Sequence, residues 1–337
     1  MFAAKFYMYA VTLVIQCPDK KGIIADVTSF VYQNKGNIQY IDQYVDREKG
    51  AFFMRLEAEL DEQLCSYKAF TTAFKEGPAT VFSMDWSHQP IAYKPKMAVF
   101  VSKYDHCLYD LLGRFKSGEL AVEIPFILSN HPDLAPIAKA FEIPFYHVAV
   151  TKDAKAEATQ EQLRLLKEHN VDFIVLARYM QIVPTALIDA FTSNIINIHH
   201  SFLPAFPGAK PYHSAFERGV KIIGATSHYV TEELDAGPII EQDVAKVSHS
   251  HSVSQLIAKG RDLEKIVLAN AVKHHIAKKV MVYGNKTVIF TSHNLINLNV
   301  AIFSYSLTFL MYAFKTSSHV SYQTSIDFTY IRVQNVV

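Results

Sequence analysis

Half of the 337 residues are hydrophobic, enough for more than one buried core, so two domains are the expectation. Lysine plus arginine (33) against aspartate plus glutamate (32) leaves a net charge of +1, which supplies no basic field for nucleic acid and favours a small-molecule partner. Cys17, Cys65 and Cys107 show neither close pairing nor Cys-x-x-Cys spacing, which suits a reducing compartment without structural disulfides.

Residues 7–17 are apolar but carry no basic leader and no small-residue cleavage site, so they predict a first strand, over 8–16, rather than a secretory signal. A helix is expected over 22–34, strands over 37–46 and 51–60 around the turn Asp46-Arg47-Glu48-Lys49-Gly50, a helix over 62–76 and a strand over 79–84. The order βαββαβ is a ferredoxin-like unit. A linker follows at 85–96, where Pro90 and Pro95 interrupt any periodic apolar pattern.

From residue 97 the pattern changes. Apolar runs at 97–102, 124–129, 145–150 and 171–177 alternate with helical stretches at 105–116, 132–141 and 155–169, which predicts a doubly wound, mostly parallel sheet. Pro184 is placed to open a further helix after the loop 176–184, a stretch that reads without other information as an ordinary connection with Met180 and Ile182 in the core.

Chemistry concentrates between 194 and 247. The run 194–198 predicts a strand that ends where Pro204, Pro207 and Gly208 forbid regular structure; further strands are expected over 222–230 and 239–247, joined by Leu234-Asp235-Ala236-Gly237-Pro238. In α/β sheets ligands sit beyond strand ends, so two such loops can face one cleft. Asn197 could donate to an oxyanion, His199 could exchange a proton, and Asp235 could hold the imidazole or accept a proton from water. Singly, each residue is equally at home as a turn former or a satisfied polar group; their combination is what points to a carbonyl-attacking site. His228, on the preceding strand, could orient His199 or Asp235, or simply be buried.

His199, His200, His213 and His228 offer no zinc-ligand spacing, and Asn197 is a poor zinc ligand, so no metal is expected. Cys107 near a helix start reads as a small buried hydrophobe before a nucleophile. A helix over 253–279 and a last strand over 287–290 precede an apolar tail, 291–337. Its stretch 294–314 is interrupted by Asn294, Asn297, Asn299, Ser304, Ser306 and Thr308, leaving it short of the roughly 20 residues a membrane span needs.

Residues 97–290 resemble the folate-dependent formyltransferase fold family, in which an Asn, a His two positions on and a downstream Asp handle the formyl group of 10-formyltetrahydrofolate. Asn197, His199 and Asp235 occupy those positions. The run His-His-Ser-Phe-Leu-Pro-Ala-Phe-x-Gly-Ala-Lys-Pro-Tyr-His at 199–213 is similar to the signature of the family's deformylase branch. The resemblance implies hydrolysis to formate and tetrahydrofolate, balancing one-carbon units for purine biosynthesis, with folate as substrate and no cofactor. Main-chain groups of Gln181, Ile182 and Val183, together with Met180 and Leu234, would line the pterin pocket. His200 stands where transferase relatives tend to have Pro and could position water. Those that formylate a phosphorylated ribose carry a glycine-rich turn after the first strand; here Ser102-Lys103-Tyr104-Asp105-His106-Cys107 has none, and Tyr104 and His106 would crowd an acceptor. Lys103 could still bind an anion, which keeps a formyltransferase reading open beside that of a non-catalytic sensor.

The first unit, with Cys-Pro-Asp-Lys-Lys-Gly-Ile-Ile-Ala opening its helix, resembles an ACT domain. That resemblance implies side-by-side pairing into a homo-oligomer and an amino-acid effector held near Pro18, Asp19, Lys20, Gly22 and Ile23. Free amides at residues 22–24 would meet its carboxylate and Asp19 its ammonium group. Alternatively Gly22 only permits a tight turn and the domain only dimerises.

Overall fold

The structure, a computed structural model, describes residues 7–204 and 211–291. Strand β1 (Met8–Pro18) hands over to helix α1 (Ile23–Gln33) through Gly22, whose φ of 96° is a left-handed conformation that a side chain would strain. The helix buries Ile23, Val27 and Val31, a one-sided stripe at four-residue spacing, against the sheet that β2 (Asn37–Asp46) and β3 (Ala51–Asp61) extend.

The second helix, α2 (Tyr67–Phe74), starts later than the expected 62–76 because Asp61 closes a turn first and Ser66 then caps the helix, its hydroxyl accepting from the Ala69 amide. No strand forms over 79–84. A π-type turn at Lys75–Ala79 continues the helix, Phe82 and Met84 amides donate back to Pro78 and Ala79, and buried Ala79 and Phe82 keep helical spacing. The fourth strand is instead β4 (Asp85–Pro90), antiparallel to β1 from Gln16↔Asp85 to Val11↔Pro90. The expected linker therefore gives its first half to the sheet, and the first unit ends at Pro90. Proline is tolerated there because β4 is an edge strand, in the order β2-β3-β1-β4.

The second unit runs β5 (Met97–Val101), α3 (His106–Lys116), β6 (Ile127–Ser129), α4 (Ala135–Ala140), β7 (Phe145–His147), α5 (Lys155–Glu168), β8 (Phe173–Leu176), α6 (Thr185–Ala190) and β9 (Ile195–His199). After it come α7 (Pro211–Arg218), β10 (Ile222–Tyr229), β11 (Ile239–Lys246) and the long helix α8 (Val253–Ile276). Its sheet has the order β11-β10-β9-β8-β5-β6-β7, parallel from β5 to β9 and antiparallel where β10 joins. Alternation divides the strands between two cores, Val99, Val101 and Val175 facing one and Ala98, Phe100 and Ile174 the other. Chain order reverses at β5, whose neighbours are β6 and β8, so the carboxyl ends of β5 and β8 form the crevice where such folds bind ligands.

Helix α8 stops short of the expected 279. Lys278 turns at a φ of 51°, and a hairpin of β12 (Val280–Tyr283), which the pattern did not signal, and β13 (Lys286–Ile289) follows. Met281 and Phe290 pack on Val14 and Phe53, covering the first sheet. Buried Arg55 of β3 donates to the Ala277 and Lys278 carbonyls, satisfying groups that the end of α8 would otherwise leave orphaned. Among the described residues no helix is long and apolar enough to cross a membrane; the stretch 294–314 lies outside them.

Candidate active site

A cavity of about 440 Å³ opens beside this crevice, at the carboxyl ends of β8 and β9, and Asn197, His199, His200, His228 and Asp235 all line it, as do Met180, Gln181, Ile182, Val183 and Leu234. The loop Arg178–Val183 is tied down by Ser102 at the end of β5, whose hydroxyl donates to Asn130 Oδ1 at 2.6 Å and accepts the Met180 amide at 2.9 Å. Met180 and Ile182 are 47% and 78% exposed, so they are not core residues of an ordinary connection. With Leu234, 70% exposed on the opposite wall, they give the mouth an apolar character suited to a flat ring.

The catalytic candidates meet because β10 lies antiparallel to β9, with His228 opposite Asn197 and Thr226 opposite His199. His228 Nδ1 is 2.9 Å from the Tyr229 carbonyl, which only accepts, so a neutral ring carries its proton there and takes a hydrogen bond from the Asn197 amide through Nε2 at 3.3 Å. That leaves Asn197 a second N–H. The same His228 Nε2 lies 3.7 Å from Asp235 Oδ1.

Asp235 reaches the pair from the β10–β11 connection, at a left-handed φ of 55° that aspartate tolerates. Gly237 makes this path possible: a Cβ there would stand 1.8 Å from the Tyr229 carbonyl oxygen, so only glycine lets the loop press onto β10. Asp235 Oδ2 accepts from His199 Nδ1 at 3.2 Å. His199 first, and then His228, hold the Asp235 carboxyl well below the usual carboxylate range, so it is anionic at neutral pH. The other His199 nitrogen, Nε2, is buried and has no partner among the described residues, the state of a group awaiting a ligand.

The formyl transferase family profile matches residues 95–272, and the ACT domain profile matches 11–64. The chain is 51% identical over 279 residues to the formyltetrahydrofolate deformylase of Synechocystis sp., covering 83% of this chain and 98% of that one. It is 45% identical over 282 residues to that of Bacillus subtilis, covering 82% and 93%. A crystal structure of a formyltetrahydrofolate deformylase from Pseudomonas syringae pv. tomato superposes with a TM-score of 0.81 at 47% identity, over 84% of this chain and 95% of that one. The chain belongs to the formyltetrahydrofolate deformylase family.

Behind this deformylase-family cavity lies a buried polar network absent from the sequence reading. Glu264 of α8, 1% exposed, accepts from Tyr212 Oη at 2.7 Å, meets His106 Nε2 at 2.8 Å and pairs with Arg178 Nε at 3.5 Å. Burial opposes its ionised form, yet the hydrogen bonds and Arg178 together hold it below the usual carboxylate range. Arg178 in turn donates to His200 Nδ1. Four segments far apart in the chain supply these groups, so no local spacing announces them. His106, expected to crowd the acceptor space, is drawn to Glu264, while half-exposed Tyr104 lies under the Arg178 guanidinium.

Ligand atoms of His106, Cys107 and Glu264 lie within 4.8 Å of one another, but the carboxylate is engaged and the adjacent guanidinium opposes a cation. His213 sits on α7 and does not line the cavity. Cys107 is buried, and burial pushes its thiol well above the ordinary value, away from nucleophilic use.

In the ACT unit a separate pocket of about 470 Å³ is lined by Asp19, Lys20, Gly22 and Ile23, with Gln43, Val45 and Phe52 opposite. Four of the five residues named from sequence thus share one concavity, and Pro18 does not line it.

Proposed function

We infer that this chain hydrolyses 10-formyltetrahydrofolate to formate and tetrahydrofolate, with Asn197, His199 and Asp235 as its catalytic residues. The observation that carries the reading is the convergence of these three side chains on one cavity whose mouth is apolar. Water adds to the formyl carbon and gives a proton to Asp235, directly or through an ordered water. The carbonyl oxygen becomes an oxyanion beside the Asn197 N–H, and His199 Nε2, a lone pair while Nδ1–H faces Asp235, takes the second proton of the added water and passes it to N10 as the C–N bond breaks, the proton on Asp235 returning to solvent. Formate leaves with the incoming oxygen. The reaction is complete with water and these side chains, folate being substrate rather than resident cofactor. The pterin lies against Gln181, Ile182 and Val183, between Met180 and Leu234.

In this reading the enzyme works in the cytoplasm as a homo-oligomer and balances one-carbon units for purine synthesis. The ACT pocket takes a small amino acid, its carboxylate on the amides after Gly22 and its ammonium on Asp19, with coupling on the order of 1–3 kcal/mol to the active site. The purified protein should release formate and tetrahydrofolate in equal amounts without any acceptor. Formylation of added glycinamide ribonucleotide in place of formate release would overturn the hydrolytic reading, and a protein that binds folate without turnover would be a sensor.

A further inference from the structure

We propose that Arg178, clamped by Glu264, is a positioning residue that fixes His200 as an Nε2–H donor on the cavity wall, and that this donor selects water over an amine as the nucleophile. The assignment rests on the hydrolytic reading above. Three observations carry it.

The first is conformational. Arg178 has a φ of 65°, a left-handed conformation in which glycine is the unstrained residue, yet a long cation stands there and is only 8% exposed. The second is the charge pair: Arg178 Nε lies 3.5 Å from Glu264 Oε2, an ion pair without a hydrogen bond, and that carboxylate is itself held by Tyr212 of α7 and His106 of α3. Ion pairs this deep add little net stability, and they persist where they fix one geometry.

The third is the tautomer. A guanidinium only donates, so His200 Nδ1 must present its lone pair to Arg178 Nη1 and the neutral ring carries its proton on Nε2. No described residue pairs with that Nε2, and the ring lines the cavity, stacked on His199 with centroids 5.2 Å apart. The groups that face His200 are Arg178, Glu264, His199, Asp235 and the Tyr212 ring. Burial first, and then Arg178, hold it down to about 4, so it stays neutral at working pH.

A donor beside the nucleophile discriminates by lone pairs. Water has two, one to attack the formyl carbon and one to accept from His200 Nε2–H. A neutral amine has one, which must attack, so it meets the same N–H as an unpaired donor and a steric obstacle.

The test measures formate release from 10-formyltetrahydrofolate, with glycinamide, whose amine nitrogen has a single lone pair, as competing amine, for wild type, R178G, R178K, H200A and R178G/H200A. R178G relieves the backbone while removing the guanidinium; E264Q, which keeps shape but not charge, serves if R178G does not fold. Expected for R178G and H200A is a kcat loss of about 10- to 100-fold with KM within about 3-fold, and a larger share of formyl passed to glycinamide. Activity of R178G should also fail at higher pH on acidification, as His200 returns toward its ordinary value of about 6.5. R178K should restore part of each effect, and the double variant should be no worse than the poorer single. An unchanged kcat or partition in R178G, or losses that multiply in the double variant, would overturn the assignment while leaving hydrolysis intact. A wild type that releases no formate overturns both.

Discussion

His199 presents Nδ1 to Asp235 Oδ2 at 3.2 Å although a helix and a strand separate the two in the chain. The contact leaves Nε2 as the ring's free position and keeps the carboxylate anionic, which sets up both halves of a proton relay.

Replacing Asp235 by Asn preserves size but removes the proton acceptor, so kcat should fall by about 10²- to 10⁴-fold. The carboxyl is depressed in the fold, so its stability contribution is fully present above the ordinary carboxylate range and is lost progressively as pH falls from that range to the lower folded value. Thermal melts of wild type and D235N should therefore run parallel between about pH 5 and 8. Curves that diverge in that window would contradict the assignment of charge.

Ser102 acts on the other wall. Its hydroxyl is the acceptor for the Met180 amide, so S102A leaves a loop N–H unpaired and loosens the segment that frames the pterin. A loss of about 1 kcal/mol corresponds to a KM for the folate raised roughly 5-fold, with kcat nearly unchanged. Steady-state kinetics separate this from damage to the chemistry, which would lower kcat.

Gly260 in α8 is a close-approach glycine. A Cβ there would stand 2.1 Å from the Tyr212 ring, whose hydroxyl donates to Glu264. G260A should displace that ring, destabilise the fold by about 1–3 kcal/mol, and weaken the Glu264–Arg178 clamp behind the cavity. Differential scanning calorimetry reads the first effect and formate release the second; an unchanged melt would contradict this packing.

His275, at the end of α8, is half-buried and accepts from Tyr229 Oη at 2.8 Å, and desolvation lowers it to about 3. The unfolded chain takes up its proton near 6.5 while the fold does not, so stability should decline as pH drops below that value, by up to about 1.4 kcal/mol per pH unit for this group. H275Q, which keeps an acceptor but no titration, should flatten the decline in urea unfolding followed from pH 7 to 4.

Both sheets were legible because their strands are dense in β-branched and aromatic residues and separated by helical stretches, and Asn197, His199 and Asp235 stood out because polar groups ended apolar strands. Misreadings fell where local pattern and tertiary context part. The stretch 79–84 looks like a strand by apolar content, but its buried Ala79 and Phe82 belong to a helical turn, and β4 gains its pairing only from β1. Hydrophobicity alone leaves Met180 and Ile182 open to a core reading; the family resemblance places them at the substrate pocket, and a cavity rather than a neighbouring layer faces them.

What the order of residues carried alone was most of the succession of elements, the change from the first sheet to the second, and the presence of three polar groups at the ends of apolar strands, since each is written in periodicity or in adjacency along the chain. What folding alone decided was which lone pairs and protons face the cavity. Arg178, Tyr212 and Glu264 meet through packing of a loop and two helices, and His200 acquires its tautomer from that meeting. Hydrogen-bond direction depends on the partner across space, and no neighbour in sequence supplies it.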